Sequence, residues 1–193
     1  MREPSDRVRN AFETAGSFEQ IDETTWRSTT TAFEGWIEAE PIAVAGSDEE
    51  RTTRDRSDQA GSDADGTDPD PSARFAFDVT VVVPMLDAVT EDAVAEVVED
   101  GWFDTFERRI EDVSGITRRS RDLDPGVRRD GDDIVVEVSL ADANPERGVE
   151  DARAFVDFVE GTYVQGIIPG YDYADPVAGL LSRARTQGTA SDV

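Results

Sequence analysis

The stretch RFAFDVTVVVPML, residues 74–86, decides how this chain folds. Phe75, Phe77, Val79, Val81 and Val83 alternate with Ala76, Asp78 and Thr80 at the period of two that an extended strand imposes. From Val81 to Val83 every position is apolar, so both faces are sheltered, as in a central strand. A second stretch, DIVVEVSL (133–140), turns Ile134, Val136, Val138 and Leu140 to one side and predicts a partner strand.

Upstream, TTWRSTTTAFEGWIEAEP (24–41) is rich in threonine and aromatics. It predicts two short strands around Trp26 and Trp36, with Phe33, Ile37 and Ala39 on one face. Pro41 confines the second of these to an edge or an end. ITRRSRDL (116–123) predicts a short edge strand, and PGVRRDGDD (125–133) the turn after it.

Helical spacing separates these segments. In PSDRVRNAFETAGSF (4–18), Val8, Ala11, Phe12 and Ala15 share a face; Ser5 or Asp6 caps the start and Gly16 stops the end. TEDAVAEVVEDGWFDTFERRIEDVSG (90–115) predicts a long helix capped by Thr90, with a bend at Gly101. Asn144 caps a third helix with Pro145 in its first position, and Val149, Ala152, Val156, Val159 and Tyr163 lie along one side. DPVAGLLSRART (175–186) predicts a last short helix.

The elements do not alternate strand and helix. The order predicts an α+β two-layer sandwich: a mostly antiparallel sheet of about five strands, with helices packed on one face. A ferredoxin-like topology is the rival. The element order is also similar to the small dimeric fold of type III secretion chaperones, a likeness of fold that carries little functional weight.

Residues 45–72 interrupt this pattern. They contain no Val, Ile, Leu or aromatic residue and cannot bury enough surface to offset their ordering entropy. The sequence therefore predicts one discontinuous domain over 1–44 and 73–185, a disordered acidic insertion over 45–72, and a disordered tail over 186–193. An insertion between strands costs little, because loop-closure entropy grows slowly with length.

Composition limits the chemistry. The chain has 193 residues, 44 of them acidic and 19 basic, for a net charge of −25. Every basic residue is arginine, and Cys and His are absent. A charge this large repels itself, while at molar salt the Debye length shrinks to about 3 Å and the repulsion is screened. The composition resembles that of salt-loving archaea that keep molar salt in the cytosol. Without a leader-like start or an apolar run of about 18 residues, a soluble cytoplasmic protein is expected, with no membrane contact.

Lacking His and Cys, the chain has no Ser-His-Asp or Cys-His machinery and no zinc site of the usual kind. Lacking Lys, it has no Schiff base and no P-loop lysine. Asp63–Asp70 offers oxygen ligands without the spacing of a calcium loop. No catalytic residue, metal site or cofactor is expected, and the chain reads as a non-enzyme.

Two surfaces remain. GTYVQGIIPGY (161–171) is uncharged in a chain where 33% of residues are charged. Tyr163, Val164 and Ile167 are expected in the core, leaving Ile168, Pro169, Tyr171, Asp172 and Tyr173 for a protein partner or a homodimer. Burial of Asp172 beside this apolar run would make it a proton donor, though a turn aspartate is the simpler reading. The second surface is Arg118, Arg119, Arg121, Arg128 and Arg129, whose forks suit anions or phosphates. Nucleic acid is disfavoured there, since no aromatics interleave and Asp122, Asp124 and Asp130 sit among the arginines. A binding, adaptor or chaperone-like module is the leading reading, with anion or nucleic-acid binding as the alternative.

With its acidic, lysine-free composition and the segments DGWFDTFERRIEDV and YVQGIIPGYDY, the chain resembles an uncharacterised haloarchaeal family known only as a domain of unknown function. The resemblance extends over nearly all the chain outside the insertion and tail. It implies no activity and no site residues.

Overall fold

The computed structural model describes residues 4–43, 73–113, 115–117 and 123–190. Along the chain run α1 (Pro4–Ala15), β1 (Phe18–Gln20), β2 (Thr25–Ser28), β3 (Glu34–Ala43) and β4 (Ala73–Pro84). They are followed by α2 (Glu96–Glu111), β5 (Gly126–Asp130), β6 (Asp133–Asp142), α3 (Pro145–Gly166) and α4 (Val177–Ala190). The strands form one antiparallel sheet in the order β1-β2-β3-β4-β6-β5. The expected α+β sandwich is therefore present, with six strands among the described residues rather than about five.

Strand β4 sits at the centre for the reason its sequence gives. Phe75, Phe77, Val79, Val81 and Val83 form a fully buried inner row. Ile37 of β3 and Val138 of β6 flank Val79 in register. Burying each such side chain contributes about 1.5–3 kcal/mol. Three helices cover this row. Phe12 of α1 stacks on Trp26, with centroids 4.1 Å apart. Helix α3 crosses so close at Gly148 that a Cβ there would lie 2.1 Å from the Phe77 ring. Trp102 and Phe106 of α2 pack edge-on to Tyr163 of α3.

Pro41 is tolerated inside the ten-residue β3 by geometry. Ala39 N donates to Thr24 O on the β2 side. Two residues on, Pro41 presents its missing N–H to that same side, where β2 has already ended. Asn144 caps α3 as expected, its Oδ1 accepting from Arg147 N at 2.8 Å, with Pro145 following.

Three local expectations are corrected. Helix α2 begins at Glu96, not after Thr90. Thr90 instead forms a β-bridge with Tyr173, and Glu91 N donates to Asp172 O, so this segment pairs with the far end of the chain. The predicted turn at 125–133 contains strand β5, with Val127 opposite Val136. The turn shrinks to Gly131 and Asp132 between the paired Asp130 and Asp133, and Gly131 takes a left-handed φ of 64°. A short strand β1 also forms at Phe18–Gln20, where none is predicted.

The insertion call at 45–72 and the Asp63–Asp70 segment lie outside the described residues. Helix α4 runs to Ala190, into the predicted tail, and residues 191–193 lie outside the described residues.

Candidate functional site

With α1, α2 and α3 on one side, the outward row of the sheet has no helix over it among the described residues. Trp36 and Glu38 of β3, Asp78, Thr80 and Val82 of β4, and Val135 of β6 share this face, because each alternates with an inner-row residue. They line a shallow concavity of about 620 Å³. Val135 is buried by its neighbours within the sheet, while Trp36, Thr80 and Val82 are half-buried.

Charge surrounds this apolar strip. Glu38 stands directly opposite Asp78 in the β3–β4 register, and Trp36 opposite Thr80. On its other side Trp36 faces Arg27 of β2. Arg27 turns away to Glu19, at 2.9 Å. Arg128 reaches Asp130 at 3.0 Å and Glu137 at 3.7 Å. Ser139 Oγ donates to Asp78 Oδ1. Glu34, Asp133 and Glu137 add to the acidic rim, so the face is strongly negative.

The predicted arginine cluster is divided. Arg118, Arg119 and Arg121 lie outside the described residues. Arg128 and Arg129 point to opposite faces of β5. Arg129 lies over the Phe103 ring, 4.2 Å from its centroid, and pairs with Asp100 at 2.7 Å. Both described arginines are thus matched by carboxylates of the chain itself.

The C-terminal candidates come together as one stitched loop. Tyr173 Oη donates to Ile168 O at 2.9 Å and accepts from Ile168 N at 3.2 Å. Burial pushes the Tyr173 hydroxyl above its usual range. Ile168, Tyr171 and Tyr173 pack half-buried against the core, Gly170 turns the chain with a φ of 102°, and Pro169 and Asp172 are exposed. The exposure of Asp172 removes the premise of a buried proton donor. Tyr163, Val164 and Ile167 join the core, as expected for the start of the uncharged run.

Beneath this loop Tyr163 is fully buried, and its hydroxyl has no hydrogen-bond partner. Burial pushes that hydroxyl well above the ordinary tyrosine range. On the outer side of α3, partial desolvation raises the half-exposed Asp157 carboxyl, against the pull of Arg153. Among the described residues no cluster of acidic side chains is placed to hold a metal ion. No helix there is long and apolar enough to cross a membrane.

Sequence reasoning passes over Trp36, Glu38, Asp78 and Val82 as a site. The available signal was Val82 itself, an apolar residue on the outward phase of β4, together with Trp36 on the outward phase of β3. What the sequence does not give is that β3 and β4 pair so as to set them side by side.

Fold and site together define a two-layer α+β module whose open sheet face is acidic with an aromatic centre. The chain belongs to DUF5813, a family of unknown function, whose profile matches residues 59–183. The matched span contains β4, β5, β6, α2, α3 and the start of α4, and leaves out α1 and β1–β3. It is narrower at the N-terminal side than the resemblance implies. Asp78, Val82 and Val135 fall inside it, Trp36 and Glu38 outside. No curated protein and no solved structure matches the chain.

Proposed function

We propose that this chain is a non-catalytic binding module of a salt-rich, haloarchaeal cytoplasm, and that its open sheet face docks a cationic segment of another protein. The carrying observation is the pair of carboxylates, Glu38 and Asp78, set face to face beside the half-buried Trp36 in an uncovered concavity. Like charges directly opposite in a sheet destabilise it, and a cation placed between them reverses the sign. A second copy would bring one acidic face against another, so charge complementarity favours a basic partner over a homodimer.

The salt-adapted setting is supported by the charge of −25 and the lack of lysine. The segment Ile168–Tyr173 has less to offer a partner, being closed on itself through the Tyr173 hydroxyl. The anion-binding alternative retains only Arg128 and Arg129 among the described residues, and both are neutralised. A chaperone-like role rests on element order alone.

The test is amide NMR of the protein in molar potassium chloride, with and without a peptide of mixed lysine and arginine. Shifts confined to β3, β4 and β6 around Trp36 are expected. Shifts centred on Ile168–Tyr173 would move the docking surface to the C-terminal loop, and an unchanged spectrum would reject the reading.

A further inference from the structure

We infer that the side chain recognised on this face is an arginine, its guanidinium stacked on Trp36 and its N–H groups directed to Glu38 and Asp78. The inference rests on the reading of the open face as a cationic docking surface and assigns its specificity.

Three observations carry it. The first is an internal precedent. Arg129 lies over Phe103 with its guanidinium carbon 4.2 Å from the ring centroid, and the same group pairs with Asp100 at 2.7 Å. Arg7 lies over Phe75 at 5.2 Å. The chain thus already joins a guanidinium to an aromatic face and, at Arg129, to a carboxylate as well.

The second is that the outward face sets an aromatic ring beside two carboxylates, with no guanidinium over that ring among the described residues. Trp36 and Glu38 lie on one phase of β3, with Thr80 and Asp78 directly across on β4. Two arginines border this face and are already paired: Arg27, across from Trp36, with Glu19, and Arg128, which lines the same concavity, with Asp130 and Glu137. Among the described residues no arginine lies over Trp36; the guanidinium–ring contacts are those at Phe75 and Phe103.

The third concerns the medium. In molar salt the attraction of a point charge is screened within about 3 Å. A lysine ammonium is compact and strongly hydrated, so it depends on that attraction. A guanidinium is planar and weakly hydrated, stacks on aromatic rings and forks two parallel N–H bonds to a carboxylate. Tryptophan is the strongest aromatic partner for such a cation. Contact interactions of this kind survive where long-range steering does not, so the site discriminates arginine from lysine most clearly at high salt.

The experiment titrates the full chain in molar potassium chloride with two peptides of equal length and charge, one of arginine and glycine, the other of lysine and glycine. Binding is followed by isothermal calorimetry. The arginine peptide is expected to bind about tenfold more tightly, and Trp36→Leu to remove that preference. Trp36→Phe keeps an aromatic face and is expected to retain most of it, which separates loss of stacking from loss of fold. Equal binding of both peptides, unaltered by Trp36→Leu, would overturn the arginine assignment and leave cationic docking in place. Binding of neither would overturn both. A free polyamine that competes as strongly as the arginine peptide would also overturn the assignment, since it has no guanidinium.

Discussion

Glu38 and Asp78 are direct cross-strand partners, two carboxylates facing each other in the middle of an otherwise well-matched β3–β4 ladder. Directly opposed like charges cost the sheet a few tenths to about 1 kcal/mol, and an opposite pair at the same place gains as much. Glu38→Arg is therefore expected to stabilise the fold by roughly 0.5–1 kcal/mol in moderate salt, measured by denaturant unfolding. A neutral or destabilising result would mean the two carboxylates are not in conflict. Residues that lower stability yet sit together in a concavity are those expected at a binding surface.

Gly148 and Phe77 set how closely α3 lies on the sheet. A Cβ at Gly148 would fall 2.1 Å from one ring carbon of Phe77 and 2.4 Å from the next, inside any tolerable contact. Gly148→Ala would gain up to about 1 kcal/mol of helix propensity, but overpacking a core typically costs about 1–3 kcal/mol, so net destabilisation is expected. Adding Phe77→Leu should recover part of the loss. Thermal unfolding of the two single variants and the double variant reads this coupling. Simple additivity would show that the helix sits further from the sheet.

Tyr163 has a buried hydroxyl without a partner. Such a group carries a desolvation cost of about 1–3 kcal/mol, so Tyr163→Phe is expected to be neutral or stabilising. It also sets a pH dependence. Burial raises the folded hydroxyl above the ordinary 10.0, so the native state keeps its proton where the unfolded chain releases it. That contribution is complete below about pH 10 and is lost as pH rises from there towards the folded value. Tyr163→Phe should flatten the alkaline fall in stability. Denaturant midpoints between pH 8 and 11 provide the check, and an unchanged slope would contradict it.

Much of this fold is legible in its periodicities. The alternation of β4 and β6 and the helical faces of α1 and α3 depend on local spacing and inner-row burial, and these appear where the sequence places them. The departures occur where a distant segment intervenes. Thr90 reads as a helix cap, but Tyr173 pairs with it, and α2 starts only at Glu96. Val127 reads as part of a turn, but Val136 draws it into a strand. The site was hidden for the same reason: Glu38 and Asp78 lie far apart in sequence, and only strand register brings them opposite. Arg128 and Arg129 read as neighbours in a cationic cluster, yet the strand period of two sends them to opposite faces.

Salt should govern the stability of the whole domain. With a net charge of −25, transfer from molar salt to dilute buffer extends the Debye length from about 3 Å towards 30 Å and restores the self-repulsion. Far-UV circular dichroism should show loss of structure on dilution and recovery when salt is returned. A fold that persists in dilute buffer would contradict adaptation to a salt-rich interior.

The central claim is that the open sheet face around Trp36 docks a cationic protein segment. Calorimetric titration of an arginine-containing peptide into the native chain and into the Glu38→Gln, Asp78→Asn double variant, both in molar potassium chloride, tests it most directly. With each exposed charge contact worth about 0.2–1 kcal/mol, the loss of two should weaken binding roughly two- to thirtyfold. Equal affinity for the two proteins would place the interaction elsewhere and contradict the account.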